Sequence, residues 1–290
     1  MVRGSPLHSP VLKDSRTPRG RLSQGPGWSV QVLKRTEGIV LKTTLFGEAD
    51  LIVTYLTRDF GLLSVFAKSP RKTTSRFGSS LEPLTHAAIS FMGREDADLP
   101  RLTQSDILRP FHAVRTDVGC LSDVAEMLEL GLHLIGQRDP HEGIFGLYIE
   151  TLQKLDVERR NPVCFLAFKI RLLLASGFAP RLEACGRCGG GACGNGTRHF
   201  HVSQGSVLCP ECGRGGGEEI ALSDGAVRFY GSLRTWPMAT IDRVRAPEPL
   251  ITELRGIIDA HVSYLVTGPL KSARMRGTRA VELRARHSGR

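Results

Sequence analysis

Two closely spaced cysteine pairs constrain this chain more than any other feature. The sequence reads C-G-R-C at Cys185 and Cys188, and C-P-E-C at Cys209 and Cys212. The 20 residues between the pairs match the spacing of about 15–20 residues that is typical of four-cysteine zinc sites. Two thiolates on one tight turn reach a single ion, and two such turns complete a tetrahedron without an open position. The pattern therefore predicts one structural Zn²⁺ held by all four cysteines.

Other uses of these cysteines fit the pattern less well. Disulfides require an oxidising compartment, and we expect no signal peptide at the start of this sequence. A thioredoxin-like motif lies beside a βαβ pattern, which is not found here. Gly186 and Gly213 are expected to relieve steric crowding in the two turns. Three residues in the gap remain alternative ligands, although Cys193 has no paired cysteine and is expected to be a bystander: Cys193, His199 and His201.

The length of 290 residues suits about two domains with a sizeable core. No apolar run approaches the roughly 18 residues of a membrane span, so we expect no membrane association. Cys120 and Cys164 fall in apolar helical patterns and are expected in the core. We predict a disordered basic tail over 1–33, a strand domain over 34–112, a helical domain over 113–267 with a zinc insertion at 183–215, and a second disordered basic tail over 268–290.

The net charge of +10 is concentrated at the two ends. Residues 1–33 contain five basic residues and one acidic residue, and residues 268–290 contain seven and one. These tails carry the whole excess, so the isoelectric point says little about the folded surface. The first tail is rich in Pro, Gly and Ser and shows no hydrophobic periodicity, which is typical of disorder. Basic tails attract polyanions without sequence preference, but solvated ends are the simplest interpretation.

Five short strand patterns follow the first tail. They are rich in β-branched residues, and a turn containing Gly61 joins the second to the third. Five strands in about 75 residues, with one long loop, favour a small Greek-key barrel such as the OB-fold. The predicted strands cover residues 38–43, 51–57, 62–68, 84–92 and 101–108.

A basic loop joins the third and fourth predicted strands. Residues 68–76 read K-S-P-R-K-T-T-S-R and contain four cations and no acid. Serine and threonine hydroxyls bind phosphate oxygens together with such cations, although a solvated loop explains the charges equally well. OB-folds bind single strands with a positive groove and aromatic platforms, for which Phe46, Tyr55, Phe66, Phe77 and Phe91 are available. The predicted DNA-binding residues are Lys34, Arg35, Lys42, Lys68, Arg71, Lys72, Arg76, Arg94 and Arg101.

The period becomes helical after Pro110. The third helix has clear start and stop signals, because Asn161 is an N-cap, Pro162 occupies the first turn and Gly177 follows the end. Its almost wholly apolar centre predicts a place in the middle of the core. Ser223 is expected to cap a helix that runs through Arg234, and a last helix runs from Pro249 to Val266. Two apolar stripes precede these helices: Val118, Leu121, Ala125, Leu128, Leu132 and Ile135, then Ile144, Leu147, Thr151 and Leu155.

Several of these stretches resemble the bacterial recombination mediator family RecO, over roughly residues 35–268. They include E-G-I-V-L-K-T, G-L-L-S-V-F-A-K-S-P-R-K and D-I-L-R-P-F. The most specific stretch is F-K-I-R-L-L-L-A-S-G-F-A-P-R-L-E-A-C-G-R-C-G, which runs a core helix into the first cysteine pair. The resemblance implies an α+β multi-domain fold: an N-terminal OB-fold β-barrel, then an α-helical domain with an inserted four-cysteine zinc finger.

The resemblance also implies a function in DNA repair and homologous recombination. RecO-like proteins bind single- and double-stranded DNA, anneal complementary strands and work with RecR. They engage single-strand-binding protein and thereby help to load RecA, which implies a cytoplasmic, nucleoid-associated location in a bacterium. Some members lack the cysteines, so the zinc prediction depends on the four residues of this chain. The two basic tails lie outside the family pattern.

Two other functional classes remain as alternatives to a non-enzymatic DNA-binding mediator. A zinc-dependent nucleic-acid hydrolase or deaminase requires an open metal position, and a deaminase requires an H-x-E signature, which the sequence does not contain. No phosphate-binding G-x-x-x-x-G-K-[ST] loop occurs either, so we expect no catalytic residues and no ATP-driven step. A purely structural zinc module for protein contacts is the other alternative, and the salt dependence of oligonucleotide binding distinguishes it from a DNA-binding mediator.

Overall fold

The structure is a computed structural model of the chain. It describes residues 31–68, 70, 77–94, 97–157, 161–190, 198–214, 219–266, 270 and 272. The basic tails, apart from a few residues at their inner edges, and most of the basic loop lie outside these ranges.

Residues from Val32 to Arg109 form a closed five-stranded barrel. The strands are β1 (Val32–Phe46), β2 (Asp50–Thr57), β3 (Gly61–Ala67), β4 (His86–Gly93) and β5 (Arg101–Arg109). Their order around the barrel is β1-β2-β3-β5-β4. All neighbours are antiparallel except β3 and β5, which run parallel. The predicted OB-like barrel is therefore confirmed, and all five predicted strands are present with shifted ends.

The length of β1 closes this barrel. Its first half pairs with β4 and its second half with β2, so one strand of 15 residues serves two neighbours. A bulge between Val40 and Lys42 shifts the register by one residue. Since alternation has a period of two, this shift changes which side chains point outward in the second half of β1. The barrel interior is filled by Val40, Val53, Tyr55, Val65, Ala87, Ile89, Phe91 and Leu102, among others.

The rest of the described chain is mainly helical. The helices are α1 (His112–Thr116), α2 (Val118–Leu134), α3 (Glu142–Val157), α4 (Pro162–Ala175), α5 (Asp224–Thr235), α6 (Met238–Ile241) and α7 (Glu248–Leu265). No helix among the described residues is both long and apolar enough to cross a membrane.

Helix α4 lies at the centre of the helical domain, as its sequence predicts. Ten of its fourteen residues are buried, because apolar side chains surround it almost completely. The Asn161 side chain accepts hydrogen bonds from the backbone N–H groups of Val163 and Cys164, which confirms the predicted N-cap. Ser223 caps α5 in the same way, since its hydroxyl accepts from the N–H of Ala226. Cys120 and Cys164 are core residues, as expected.

The predicted apolar stripe of α2 is wrong at its start but holds farther along, where Ile135 is buried and Leu128 and Leu132 pack against the core. Val118 and Leu121 are 62% and 41% exposed, whereas Cys120, Val124, Met127, Leu130 and Leu134 are buried. The buried set includes Asp123 and Glu126, whose charges made this face look like the solvent side. Glu126 pairs with Lys169 of α4, a tertiary contact that hydrophobic periodicity does not register. The stripe predicted for α3 is confirmed, because Ile144, Leu147, Thr151 and Leu155 are buried.

One hydrophobic core joins the barrel to the helices. Ile39, Leu41, Leu56, Leu62 and Leu84 of the barrel belong to the same buried cluster as the inner faces of α2, α3 and α4. Part of the outer barrel surface is thus covered by the helical domain.

The connection between α2 and α3 packs closely against the β2–β3 turn. The backbone N–H of Arg138 donates to the carbonyl of Leu62 at 3.1 Å. Gly61 has a φ of +60°, and a Cβ at this residue would lie 2.3 Å from the carbonyl oxygen of Asp139. Only glycine therefore satisfies both the backbone conformation and the close approach at this turn.

The cysteine-rich insertion lies between α4 and α5. It contains a small antiparallel sheet of three strands, β6 (Arg198–His201), β7 (Ser206–Leu208) and β8 (Glu219–Leu222), in the order β7-β6-β8. These strands of three or four residues are too short to show alternation, and the sequence analysis missed them. The buried Phe200, Val207 and Leu222 attach the sheet to the helical core.

Candidate metal centre and nucleic-acid interface

The four predicted cysteine ligands converge on one point. The Sγ atoms of Cys185, Cys188, Cys209 and Cys212 all lie within 4.8 Å of one another, and those of Cys188 and Cys209 are 3.9 Å apart. A tetrahedron with Zn–S bonds of about 2.3 Å has sulfur–sulfur edges of about 3.8 Å. The cluster therefore has the donor set and the size of a closed four-thiolate site.

Backbone hydrogen bonds prepare one thiol of the cluster, that of Cys185, for this role. The pKa of the Cys185 thiol is lowered to about 6 by backbone N–H groups of Cys188, Cys209 and Arg187. Hydrogen bonding to the Cys209 thiol, together with burial, raises the pKa of Cys212 to about 12. Since thiolates bind metals and thiols do not, filling the site releases protons from the cluster.

The two turns that carry these cysteines are alike. The N–H of Gly189 donates to the carbonyl of Cys185, and the N–H of Gly213 donates to that of Cys209, each at 2.9 Å. The left-handed backbone occurs at Gly189, where φ is +72°, and not at Gly186 or Gly213. The unusual backbone conformation of the first turn is therefore at Gly189, and not at Gly186 or Gly213, which were expected to relieve crowding there.

Gly186 and Gly213 serve close packing instead. A Cβ at Gly186 would lie 2.1 Å from the Ser206 hydroxyl, and one at Gly213 would lie 3.0 Å from the His201 ring. The lack of a Cβ at these two glycines therefore allows each cysteine turn to pack closely against a strand of the small sheet. The N–H of Gly186 also donates to the carbonyl of Val207 at 2.9 Å.

The alternative ligands are not brought to the cluster. Nδ1 of His199 and Nε2 of His201 lie 3.8 Å and 3.6 Å from the carboxylate of Glu219. Among the described residues, the metal-sized group consists of the four cysteines and includes neither histidine. Cys193 lies outside the described residues.

The part of the outer barrel surface that the helices leave open is a second candidate site. Cross-strand partners show which side chains share it, because directly opposite residues point to the same face. Lys42 pairs with Thr54, which pairs with Ser64. The Thr54 and Ser64 hydroxyls lie 3.0 Å apart. Lys42, Thr54 and Ser64 thus form one row across the strands, and a second row runs through Thr44, Ile52, Phe66 and Arg101.

We call this surface the open barrel face: Lys42, Thr44, Phe46, Ile52, Thr54, Ser64, Phe66 and Arg101. Phe46 is 52% exposed, and its ring lies edge-on to Phe66 with centroids 5.8 Å apart. Adjacent rows and strands are about 5–7 Å apart, which is close to the spacing of nucleotides in a single strand. Strands β2 and β3, which form the centre of the face, are the surface that OB-folds use for oligonucleotides.

The predicted DNA-binding residues fall into three groups. Lys42 and Arg101 lie on the open barrel face, and the exposed Lys68 directly follows β3 beside it. Lys34 and Arg94 line a cavity at one end of the barrel, while Arg35 lies in a groove of mixed charge with Glu37, Arg58, Asp59 and Asp106. The remaining three, Arg71, Lys72 and Arg76, lie outside the described residues.

The aromatic residues divide in a similar way. Tyr55, Phe77 and Phe91 are buried in the barrel, and burial raises the pKa of the Tyr55 hydroxyl, so they are core residues and not platforms. Phe46 and Phe66 remain available on the open barrel face. The sequence analysis missed two residues at the barrel end, Phe60 and Arg138, whose side chains line the same cavity as Lys34. Phe60 follows the acidic turn residue Asp59, and Arg138 is more than seventy residues farther along the chain, so no local pattern joins them.

Comparison with known proteins agrees with this architecture. The model of the N-terminal domain of recombination protein O matches residues 31–111, which contain the whole barrel. The model of the C-terminal domain of recombination protein O matches residues 118–274, which contain α2 to α7 and the cysteine insertion.

Individual relatives cover most of the chain. A DNA repair protein RecO from Thermodesulfovibrio yellowstonii is 36% identical over 232 residues, or 78% of this chain and 91% of the relative. One from Rubrobacter xylanophilus is 34% identical over 248 residues, or 85% of this chain and 97% of the relative. A third, from Frankia casuarinae, is 36% identical and covers 79% of this chain and 92% of its own. With both domain models matched in order and relatives aligned along nearly their full length, the chain belongs to the RecO family of DNA repair proteins.

Proposed function

We propose that this chain is a recombination mediator that binds single-stranded DNA along the open barrel face and pairs it with a complementary strand. The observation that carries the proposal is the row from Thr44 to Arg101, in which an aromatic side chain and a cation stand side by side across the barrel. Bases stack on aromatic rings while cations contact the backbone, a combination that binds single strands with little sequence preference.

The chemistry of the face favours phosphate contacts. Lys42, Lys68 and Arg101 are exposed, and hydroxyl groups of Thr44, Thr54 and Ser64 lie between them. Cations position the sugar–phosphate backbone, and hydroxyls add hydrogen bonds to phosphate oxygens. Neutralising two strands at once lowers their mutual repulsion. Annealing therefore proceeds on binding energy alone, without ATP, and double-stranded DNA is bound through the same phosphate contacts.

We also propose that the cysteine cluster binds one structural Zn²⁺. Four thiolates close the coordination shell, so a bound ion stabilises the insertion and offers no position for a substrate or a reactive water. This supports a non-enzymatic role, with no catalytic residues and no chemical change to the DNA. The metal's contribution is to fold the turns onto the small sheet and so onto the helical core.

The family implies the partners of this mediator. We propose that it works with RecR, engages single-strand-binding protein on coated DNA and thereby promotes RecA loading, in a bacterial cytoplasm close to the nucleoid. The barrel supplies the DNA surface in this proposal, which leaves the helical domain and the insertion for protein partners.

A charge-reversal experiment tests the proposal. The full chain should accelerate annealing of two complementary oligonucleotides, followed by fluorescence transfer between end labels, in the absence of ATP. Lys42→Glu with Arg101→Glu should abolish the acceleration, because both changes place acids on the open barrel face. Arg243→Glu with Arg245→Glu is the matched control, since both residues are exposed in the helical domain. If the Lys42→Glu/Arg101→Glu variant accelerates annealing as much as the control variant does, the open barrel face does not bind the strand.

A further inference from the structure

A cavity lies where the end of the barrel meets the α2–α3 connection. Its volume is about 150 Å³, and residues from both domains line it. Lys34, Phe60, Phe91, Arg94 and Pro100 come from the barrel side and Arg138 from the connection. Cavities of about 150 Å³ hold a single six-membered ring such as benzene. The cavity therefore has the size of one planar ring.

The lining combines positive charge with an aromatic wall. Lys34, Arg94 and Arg138 contribute three cations to the lining and Asp59 one carboxylate, and the Asp98 carboxylate lies 4.0 Å from the Arg138 guanidinium. The Asp59 carboxylate also accepts a hydrogen bond of 2.5 Å from the Thr36 hydroxyl. Such a site favours a ligand that is anionic on one side and flat and apolar on the other.

Phe60 supplies the flat surface. Its ring meets Phe91 edge to face, with centroids 5.3 Å apart and planes at 82°. The Lys34 ammonium lies 5.5 Å from the Phe60 centroid. Phe60 is only partly buried, so part of its ring is accessible to a ligand.

Arg138 is held in place at a cost in backbone energy. Its φ is +55°, a left-handed conformation that is unfavourable for residues with a Cβ. The hydrogen bond from its N–H to Leu62 retains this conformation, and its guanidinium donates to the carbonyl of Ala97. Backbone strain of this kind clusters at binding sites. Together with the cavity, it points to Arg138 as a positioned cation.

The cavity and the open barrel face are linked by consecutive residues of the chain. Pro100 lines the cavity, and the next residue, Arg101, pairs with Phe66 on the face. A residue of the cavity lining and a residue of the face are therefore neighbours at the start of β5.

We propose that this cavity binds one unstacked pyrimidine nucleotide of a single DNA strand, with the base against Phe60 and its phosphate beside Arg94 and Arg138. The inference deepens the proposed function and rests on it. It turns a surface without sequence preference into one with a single position that favours a one-ring base over a purine.

Photo-crosslinking locates the bound base directly. An oligonucleotide of about ten thymidines, with 5-iododeoxyuridine at one position, is irradiated with the full chain, and the attached peptide is identified by mass spectrometry. We expect attachment within the peptides that carry Phe60, Phe91 or Arg94 when the label is in one register. Attachment confined to peptides of the open barrel face in every register, with binding intact, would overturn the cavity assignment and leave the proposed function standing.

The change in base preference upon mutation is a second readout. The affinity for oligo(dT) divided by that for oligo(dA) should fall about fivefold or more in Phe60→Ala. Arg138→Gly should lower it as well, and this change suits the positive φ, so the variant is expected to fold. Base stacking within oligo(dA) lowers its affinity for the parent chain and for every variant alike, so the comparison uses only the change in the ratio. Arg243→Ala removes the same charge away from the cavity and should leave the ratio unchanged.

Free nucleotides distinguish a polymer site from a metabolite site. Binding of thymidine monophosphate, followed by NMR, should be weak and should disappear in Arg138→Gly. Tight binding of the monophosphate that oligo(dT) does not displace would assign the cavity to a free nucleotide and overturn the proposal. If the chain binds no oligonucleotide at all, the proposed function fails together with this inference.

Discussion

The ammonium of Lys169 lies 3.0 Å from Oε1 of Glu126, and the two side chains are only 1% and 2% exposed. The ammonium also pairs with the carboxylate of Asp259, and it lies 5.3 Å from the Phe165 ring. Burial lowers the pKa of Lys169, and the neighbouring Asp259 opposes this shift. The pair joins α4 to α2, and Asp259 adds α7, so one ionic contact ties together three helices of the core.

Removing one partner of this pair should be costly. Lys169→Ala leaves the buried Glu126 carboxylate without its cation, and we expect a loss of about 3–5 kcal/mol in the free energy of unfolding. Urea titration measures this loss. Lys169→Met combined with Glu126→Leu should recover most of it, because a well-packed apolar pair replaces a buried ion pair at little net cost. The exposed pair Arg234–Glu183 is the control, and Arg234→Ala should cost at most about 1 kcal/mol.

The junction between barrel and helices should be more sensitive to glycine replacement than an open turn is. Gly61 and Gly47 have φ values of +60° and +68°, but only Gly61 has backbone atoms within 3 Å of the position that a Cβ would occupy. Gly47→Ala should cost about 1–2 kcal/mol from backbone strain alone. Gly61→Ala should cost clearly more, since it also displaces Asp139. Thermal unfolding compares the two variants, and equal losses would mean that the contact with Asp139 is not maintained.

Acid should weaken the fold through His261. Burial lowers its pKa from the ordinary value of 6.5, and its Nε2 lies 2.8 Å from the Phe178 carbonyl. The unfolded state thus binds a proton first as the pH falls. This contribution to stability is intact above pH 6.5 and is lost as the pH falls from there through the lowered pKa of the folded state.

Urea midpoints measured between about pH 7.5 and about pH 5.5 report this loss. His261→Gln keeps a hydrogen-bond donor near Phe178 without titrating, and its midpoints should depend less on pH than those of the parent. His86 remains in both proteins, and its pKa is also lowered by burial, against the opposing influence of Glu37. An unchanged pH dependence in His261→Gln would assign the effect to His86 or to other groups.

The cysteine cluster should hold about one zinc ion per chain. Cys209→Ser removes one of the four converging sulfur atoms, so we expect loss of the metal in elemental analysis and a lower thermal midpoint. Cys193→Ser is the matched cysteine control and should retain the metal. Loss of zinc in both variants would show that the ligand set is not the four cysteines named here.

The five strands were predictable because β-branched runs and turn glycines mark them locally. The outward direction of Lys42 was not, because it depends on the bulge after Val40, which has no sequence signal in this strand. Likewise, the interior position of Lys169 was visible from its apolar helix, but its partners Glu126 and Asp259 are 43 and 90 residues away in the chain. Tertiary ion pairing also explains how the buried Glu126 lies on the core face of α2, where hydrophobic periodicity does not place a carboxylate.

The cysteine cluster was the most predictable part of the candidate sites, since its two turns are each encoded within four residues. The open barrel face was predictable only in part. Lys42 and Arg101 could be named as cations, but the row that Arg101 shares with Phe66 and the neighbouring row of Lys42 follow from the register of four strands. Phe60 and Arg138 meet across the junction of two domains, which no single stretch of sequence describes.

The salt dependence of oligonucleotide binding tests the central claim most directly. The logarithm of the affinity for a short single strand falls linearly with the logarithm of salt concentration, with a slope of about −0.7 for each phosphate contact. Replacing Lys42, Lys68 and Arg101 by alanine should reduce the magnitude of this slope by about two. The matched variant of Arg228, Arg243 and Arg245, three exposed cations of the helical domain, should leave it unchanged. If the first variant keeps the parent slope while the second loses it, the strand binds the helical domain and the open barrel face is not the DNA site.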